Sequence, residues 1–263
     1  MKKIAALILS IVMLGAFAGC AGKDKKDVSD SEYVKEKGKL VVGMTEFKPM
    51  DYKENGSDEW IGFDADMAKA FAKSLGVEVE FVEINWDNKV FELKNKSVDC
   101  LWNGMTITED IKKMTSPTAP YCNNAQVIVV PKDKADKYKT AEACKDLKFA
   151  VEAGSAGEAA VKELGYKMTA LETQADALME VASGTSDACV IDLLMAGAMI
   201  GEGTSYEKLT YAVSLTTEEY GVAFRKNSDL TEKLNQFFKD SYADGSMMKI
   251  AKKYGVQESI VEK

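Results

Sequence analysis

The chain of 263 residues contains no histidine. That absence removes the usual general base near neutral pH, the Ser–His and Cys–His nucleophile pairs, and the commonest zinc ligand. Arginine is almost as scarce, with Arg225 standing alone. Any planar, bidentate clamp on a carboxylate therefore uses that residue or does not exist. No run rich in Lys and Arg occurs, and the formal net charge is −8. Such a chain is poorly suited to nucleic acid or to an anionic membrane surface. The cysteines after Cys20 are Cys100, Cys122, Cys144 and Cys189, with no CxxC spacing among them. Cys100 and Cys189 sit in apolar, strand-like runs, where a thiol acts as a small buried hydrophobe. An even count permits disulfides without pairing them; free, buried thiols are the expectation.

What is present begins at the N-terminus. Lys2 and Lys3 precede an uncharged, largely apolar run from Ile4 to Ala18. It is shorter than the roughly 20 residues of a membrane span and suits the h-region of a signal peptide. Phe17-Ala18-Gly19-Cys20 then places small residues before a cysteine, and resembles the bacterial lipobox, with Phe17 where Leu is commoner. That resemblance implies removal of residues 1–19 and a diacylglycerol anchor on Cys20; a signal peptide cut elsewhere, with Cys20 incidental, is the alternative. Ala21 to Asp30 is short, charged and poor in large apolar residues, so residues 20–34 are read as anchor and flexible tether.

Beyond the tether the pattern alternates strand and helix. Lys39 to Gly43 is a short apolar run ended by glycine. Asp64 to Leu75 carries Met67, Ala68, Phe71, Ala72 and Leu75 at helical spacing, closed by Gly76. Strand-like runs follow at 77–84, 98–102 and 127–130, with a helix at 87–94. The rhythm restarts with strands at 149–151 and 189–191, helices at 155–164 and 175–182, a last strand at 220–224 and helices at 230–242 and 246–254. This alternation predicts parallel sheets covered on both faces. Ser97-Val98-Asp99-Cys100 and Ser186-Asp187-Ala188-Cys189 form a local echo between two blocks. Two such blocks predict two α/β lobes, with a cleft at the carboxyl ends of their strands.

Several segments together resemble one family. They are GKLVVG at 38–43, Pro49 with Tyr52, GFDADMAKAFAKSLG at 62–76, Trp86-Asp87, Val98-Asp99, GMTIT at 104–108 and Pro120-Tyr121. Asp146-Leu147, Ser186-Asp187-Ala188, YGVAFRK at 220–226 and Asp244-Gly245 complete the set. Each is weak alone, but their order and extent make the chain similar to the polar amino-acid-binding proteins of ABC importers, solute-binding protein family 3. The resemblance implies an α/β, two-lobed, periplasmic-binding-protein-like (type II) fold with a hinge of two crossing strands, near Gln126 to Val130 and near Tyr220. Lobe 1 would be 35–127 plus 219–263, and lobe 2 would be 128–218. It implies a monomeric, extracytoplasmic protein held at the membrane by its lipid. Such a protein needs no cofactor and passes a small polar or cationic solute to a permease and an ATPase.

The family's binding positions fall here on Phe47 and Trp86, two rings that grip the ligand side chain, although aromatic residues are equally often core. Asn103, Gly104, Met105 and Thr106 match the loop that bonds ligand through amides and a hydroxyl. Ser155 and Ala156 match a helix start that faces an anion; Ser155 with Glu158 also fits a capping box. Asp192 matches the partner of an ammonium group, or else caps the helix beginning near Leu193. Glu46 lies beside Phe47 in the first cleft loop.

One position departs from the pattern. The family's carboxylate-clamping arginine follows the GMTIT threonine by three residues, and Ile111 stands there. Arg225 matches another place, and the second hydroxyl of the helix start is lost as Ala156. A buried carboxylate without its cation costs several kcal/mol, of order 2–5, unless other donors replace it. Two readings follow. The ligand is an amine, cation or carboxylate-masked derivative, with cation–π contacts from Phe47, Trp86 and Trp102. Otherwise it is an ordinary amino acid held by amides and by Lys112 or Lys113. A dehydratase-like enzyme on the same fold and a surface sensor without a transport role are the rival classes.

Overall fold

The computed structural model describes residues 28–263; the expected signal peptide and Cys20 anchor lie outside the described residues. Strand Lys39–Met44 starts directly after Gly38, whose positive φ of 77° ends helix Asp30–Lys37. Helix Phe63–Leu75 turns Met67, Ala68, Phe71 and Ala72 inward and stops at Gly76, which donates back to Ala72 and Lys73 carbonyls.

The first sheet runs in the order Glu78–Glu83, Lys39–Met44, Cys100–Thr106, Glu218–Phe224, Ser116–Pro117, with Cys122–Asn124 also on Glu218–Phe224. The second runs Lys167–Leu171, Lys148–Glu152, Ala188–Asp192, Gln126–Pro131, Leu209–Ser214. Each therefore forms the base of one lobe. Sheet membership changes at Ala125 and again across 215–217, a few residues from the boundaries assigned above. The segments that change sheet lie side by side: Asn124 pairs with Glu218, and Leu215 donates to the Gln126 carbonyl at 2.8 Å. The segments that cross between the sheets are thus 124–126 and 214–218, while Val127 to Val130 and Tyr220 belong wholly to one sheet each.

Two expectations are corrected. The sheets are mixed rather than parallel, because strands Glu218–Phe224, Gln126–Pro131 and Leu209–Ser214 run antiparallel to their neighbours. A chain that crosses between lobes and returns must enter each sheet in the reverse sense. The assigned tether is also too long. Helix Asp30–Lys37 carries a complete capping box of Ser29 and Glu32, buries Val34 fully, and pairs Asp30 with Arg225 at 2.9 Å.

The echo has a physical basis. Asp99 accepts from the Val41 amide at 2.8 Å, and Asp187 accepts from the Lys148 amide at 3.0 Å. Each aspartate therefore aligns the start of a neighbouring strand. Cys100, Cys122, Cys144 and Cys189 are free and buried. No described helix is long and apolar enough to cross a membrane.

Candidate functional site

A cavity of about 540 Å³ lies between the lobes. Lobe 1 supplies Trp86, Lys89, Asn103 to Thr106, Asp110 and Ile111; lobe 2 supplies Glu152, Gly154 to Ala156, Gln174 and Asp192. The lobes touch across it. Thr45 Oγ1 donates to Glu152 Oε1 at 3.1 Å, and Lys89 Nζ donates to the Gly154 carbonyl at 2.7 Å.

The apolar side is built by Ile111, which is 5% exposed and packs with Trp86, Met105, Leu93 and Val98. Its helix, Glu109–Met114, starts at Thr108, whose hydroxyl accepts from the Ile111 amide at 3.2 Å. Where the family pattern has a guanidinium, this chain presents a hydrocarbon wall. Lys112 and Lys113 are exposed and pair with Glu109 and Asp110 of their own helix, both at 2.9 Å. Neither lines the cavity, which corrects the expectation that they would meet a carboxylate.

Asp192 is buried at the end of strand Ala188–Asp192. Its Oδ1 accepts from Asn124 at 2.5 Å, Gln126 at 2.9 Å and the Tyr220 hydroxyl; its Oδ2 accepts from Gln174. Its side chain makes no cap on helix Leu193–Met199. Burial, and then the charge of nearby Glu218, hold its carboxyl well above the usual range.

Sequence reasoning passed over three further residues. Glu152 ends strand Lys148–Glu152 and is 3% exposed; burial pushes its carboxyl up to about 7. Lys89, whose ammonium burial shifts downward, is directed at the carbonyls of Trp86 (3.1 Å) and Gly154 (2.7 Å) rather than at either carboxylate. Gln174 bonds Asp192 through both its amide atoms. For Glu152 a signal existed: it follows an apolar strand and precedes Gly154-Ser155, so it sits at a strand's carboxyl end. For Lys89, one lysine among many, there was none.

Other expected ligand groups already have protein partners. The Gly104 amide donates to Asp64 Oδ2 at 2.7 Å, so it does not point to a ligand. The Asn103 side chain bonds Thr45 and Asp51, leaving only its backbone at the cavity. The Thr106 hydroxyl donates to Glu218 at 3.1 Å. Met105 is 2% exposed and part of the apolar wall. Ser155 accepts from the Glu158 amide at 3.0 Å, and the Glu158 carboxylate accepts from the Gly154 amide at 3.0 Å. The helix start at Ser155 and Ala156 is thereby covered by a carboxylate of its own chain.

Three aromatic and acidic expectations shift. Trp86 lines the cavity, with Lys89 Nζ 5.1 Å from its ring centroid. Phe47 does not; it is 2% exposed and sits edge-on to Tyr220. The cause is a tight loop closed by bonds between Phe47 and Asp51, and the bare face of Gly104, where a Cβ would lie 2.4 Å from the Phe47 ring. Trp102 is fully buried against Phe71 and Phe238. Glu46 is exposed and lines a separate groove with Lys48 and Met195.

Two lobes joined by paired crossings, with a ligand-sized cavity between them, define a solute-binding protein. The chain belongs to the bacterial extracellular solute-binding proteins, family 3, whose model matches residues 40–257. It is similar to ArtP of Bacillus subtilis (strain 168), an arginine-binding extracellular protein, with 31% identity over 97% of this chain and 98% of that one. The ABC transporter glutamine-binding protein GlnH of the same organism is 30% identical, with 97% of each chain covered. A crystal structure of AncCDT-1 matches with a TM-score of 0.78 and 35% identity, over 86% of this chain and 99% of that one. AncCDT-1 is described as an ancestral amino acid-binding protein and a precursor of cyclohexadienyl dehydratase.

Proposed function

We propose that this protein is the lipid-anchored, monomeric binding component of an ABC importer and takes a cationic solute by its positive charge, without clamping an α-carboxylate. The observation that carries this reading is the carboxyl-rich lining of the cavity. Asp87, Asp110, Glu152 and Asp192 line it, and its one lysine faces backbone carbonyls. Ile111 supports the second half, since a hydrocarbon wall offers a carboxylate nothing in exchange for its water. Glu158, seated over the helix start at Ser155, would repel an anion there. ArtP, named for arginine, favours a cationic solute from an independent direction.

The test is a thermal-shift and calorimetric comparison of arginine with agmatine and of lysine with cadaverine. Agmatine or cadaverine at about 100 times Kd adds about 2.7 kcal/mol, raising Tm by roughly 5–10 °C. Stabilisation only by ligands with a free α-carboxylate would refute the reading. We also place the protein among binders rather than enzymes: the cavity carboxylates Asp192 and Glu152 are held by protein donors, and purified protein is expected to leave prephenate and arogenate unchanged.

A further inference from the structure

Glu152 and Asp192 stand at the carboxyl ends of neighbouring parallel strands, Lys148–Glu152 and Ala188–Asp192, with Phe149 registered on Ala188 and Ala150 on Cys189. Both residues end their strands, and the charge of each acts on the other. Both carboxylates line the cavity, yet their surroundings differ. Asp192 already accepts four side-chain hydrogen bonds, from Asn124, Gln126, Gln174 and Tyr220. Glu152 accepts from the Thr45 hydroxyl at Oε1, with Gln174 as a second donor beside it, and its Oε2 is not among the sealed, unpartnered atoms. The oxygen with unused acceptor capacity at this end of the cavity therefore belongs to Glu152.

We infer that Glu152 is a specificity-determining residue: together with Asp192 it holds the ammonium or guanidinium group of the ligand, and it is the stronger contact of the two. This rests on the cationic reading of the cavity proposed above. Asp192, bound by four donors, is saturated enough to position and orient, while Glu152 exchanges hydration for a direct charge-assisted bond to the ligand. Binding a cation beside Glu152 favours its ionised form, so affinity couples to pH. Burial holds the free carboxyl near about 7; ionised above that value and neutral below it, Glu152 strengthens cation binding as pH rises. The charged groups acting on it are Lys89 from lobe 1, Asp176 on helix Gln174–Ser183, and Asp192 on the adjacent strand.

The experiment is calorimetry with agmatine and arginine on wild type, Glu152→Gln and Thr45→Val, from about pH 6 to pH 8. Wild type is expected to bind more tightly as pH rises. Glu152→Gln, nearly the same shape, is expected to lose about tenfold to a hundredfold in affinity at pH 8 and to show a weaker pH dependence than wild type. Thr45→Val removes the hydroxyl shared between Glu152 and Asn103 while leaving the Glu152 carboxyl in place, and is expected to change affinity by less than about threefold. Equal losses in Thr45→Val and Glu152→Gln would mean that Glu152 merely latches the lobes, and would overturn the inference. So would a wild-type-like Glu152→Gln. If wild type binds neither probe, the cationic reading fails, and this inference with it. If wild type binds and Glu152→Gln does too, only the inference falls.

Discussion

At the scale of single residues, Ile111 concentrates the chemistry of the site. Its side chain closes an apolar wall with Trp86 and Met105, in a place where the family pattern puts a guanidinium. Ile111→Arg therefore restores a carboxylate partner and adds a positive charge to an acidic cavity. The variant is expected to gain about tenfold for arginine over agmatine relative to wild type, read by calorimetry of both ligands. An unchanged ratio would show that the ligand's α-carbon end lies away from Ile111. Asp192 and Ile111 were legible because each sits at a fixed distance from a recognisable segment. Glu152 carried a weaker signal, its place at a strand's carboxyl end before Gly154-Ser155, which was passed over because a carboxylate one residue beyond an apolar run looks like any exposed acid. Only the neighbouring strand and the facing Thr45 make it a buried one.

Among the elements, the single arginine acts as a staple rather than a ligand clamp. Arg225, at the end of strand Glu218–Phe224, contacts Asp30 of helix Asp30–Lys37 at 2.9 Å and fully buried Asp99 at 3.3 Å. Lys37 reaches Asp99 as well, at 2.6 Å, so three elements share one small charge network. Arg225→Met leaves Asp99 with less compensation and is expected to cost about 3 kcal/mol in urea unfolding, with ligand affinity unchanged. A loss of affinity without a loss of stability would place Arg225 in the binding machinery instead. The helix itself escaped the sequence reading because five of its eight residues are charged and only Val34 is fully buried. Helix Phe63–Leu75, by contrast, carries a full apolar stripe and was plain. Edge strands Lys167–Leu171 and Leu209–Ser214 were missed for the related reason that half-exposed strands lack a continuous apolar run.

For the whole molecule, function depends on the lobes meeting. Gly154 shows how closely they do: a Cβ there would lie 2.5 Å from Asp87 Cα, and its φ of 73° already disfavours other residues. Gly154→Ala is expected to hold the lobes apart and weaken ligand binding by about tenfold or more. Small-angle scattering should then show a smaller decrease in radius of gyration on adding ligand than in wild type. Full closure in the variant would show that Gly154 serves the local turn alone. Residues 124–126 and 214–218 pair with each other and cross together between the sheets. Asn124 and Gln126 donate to both Asp192 and Glu218, so the polar floor of the cavity is continuous with the hinge.

The two-block α/β plan, the absence of histidine-based chemistry and the presence of a single arginine were readable in the chain alone, because composition and order are properties of the sequence. The tertiary structure decided which polar groups face the ligand. Gly104, Asn103 and Thr106 turned out to be committed to Asp64, Asp51, Thr45 and Glu218, whereas Glu152 has fewer donors than Asp192 and lines the cavity. Hydrogen-bond capacity is shared among residues brought together from distant parts of the chain, and no spacing along it records which partner is nearest.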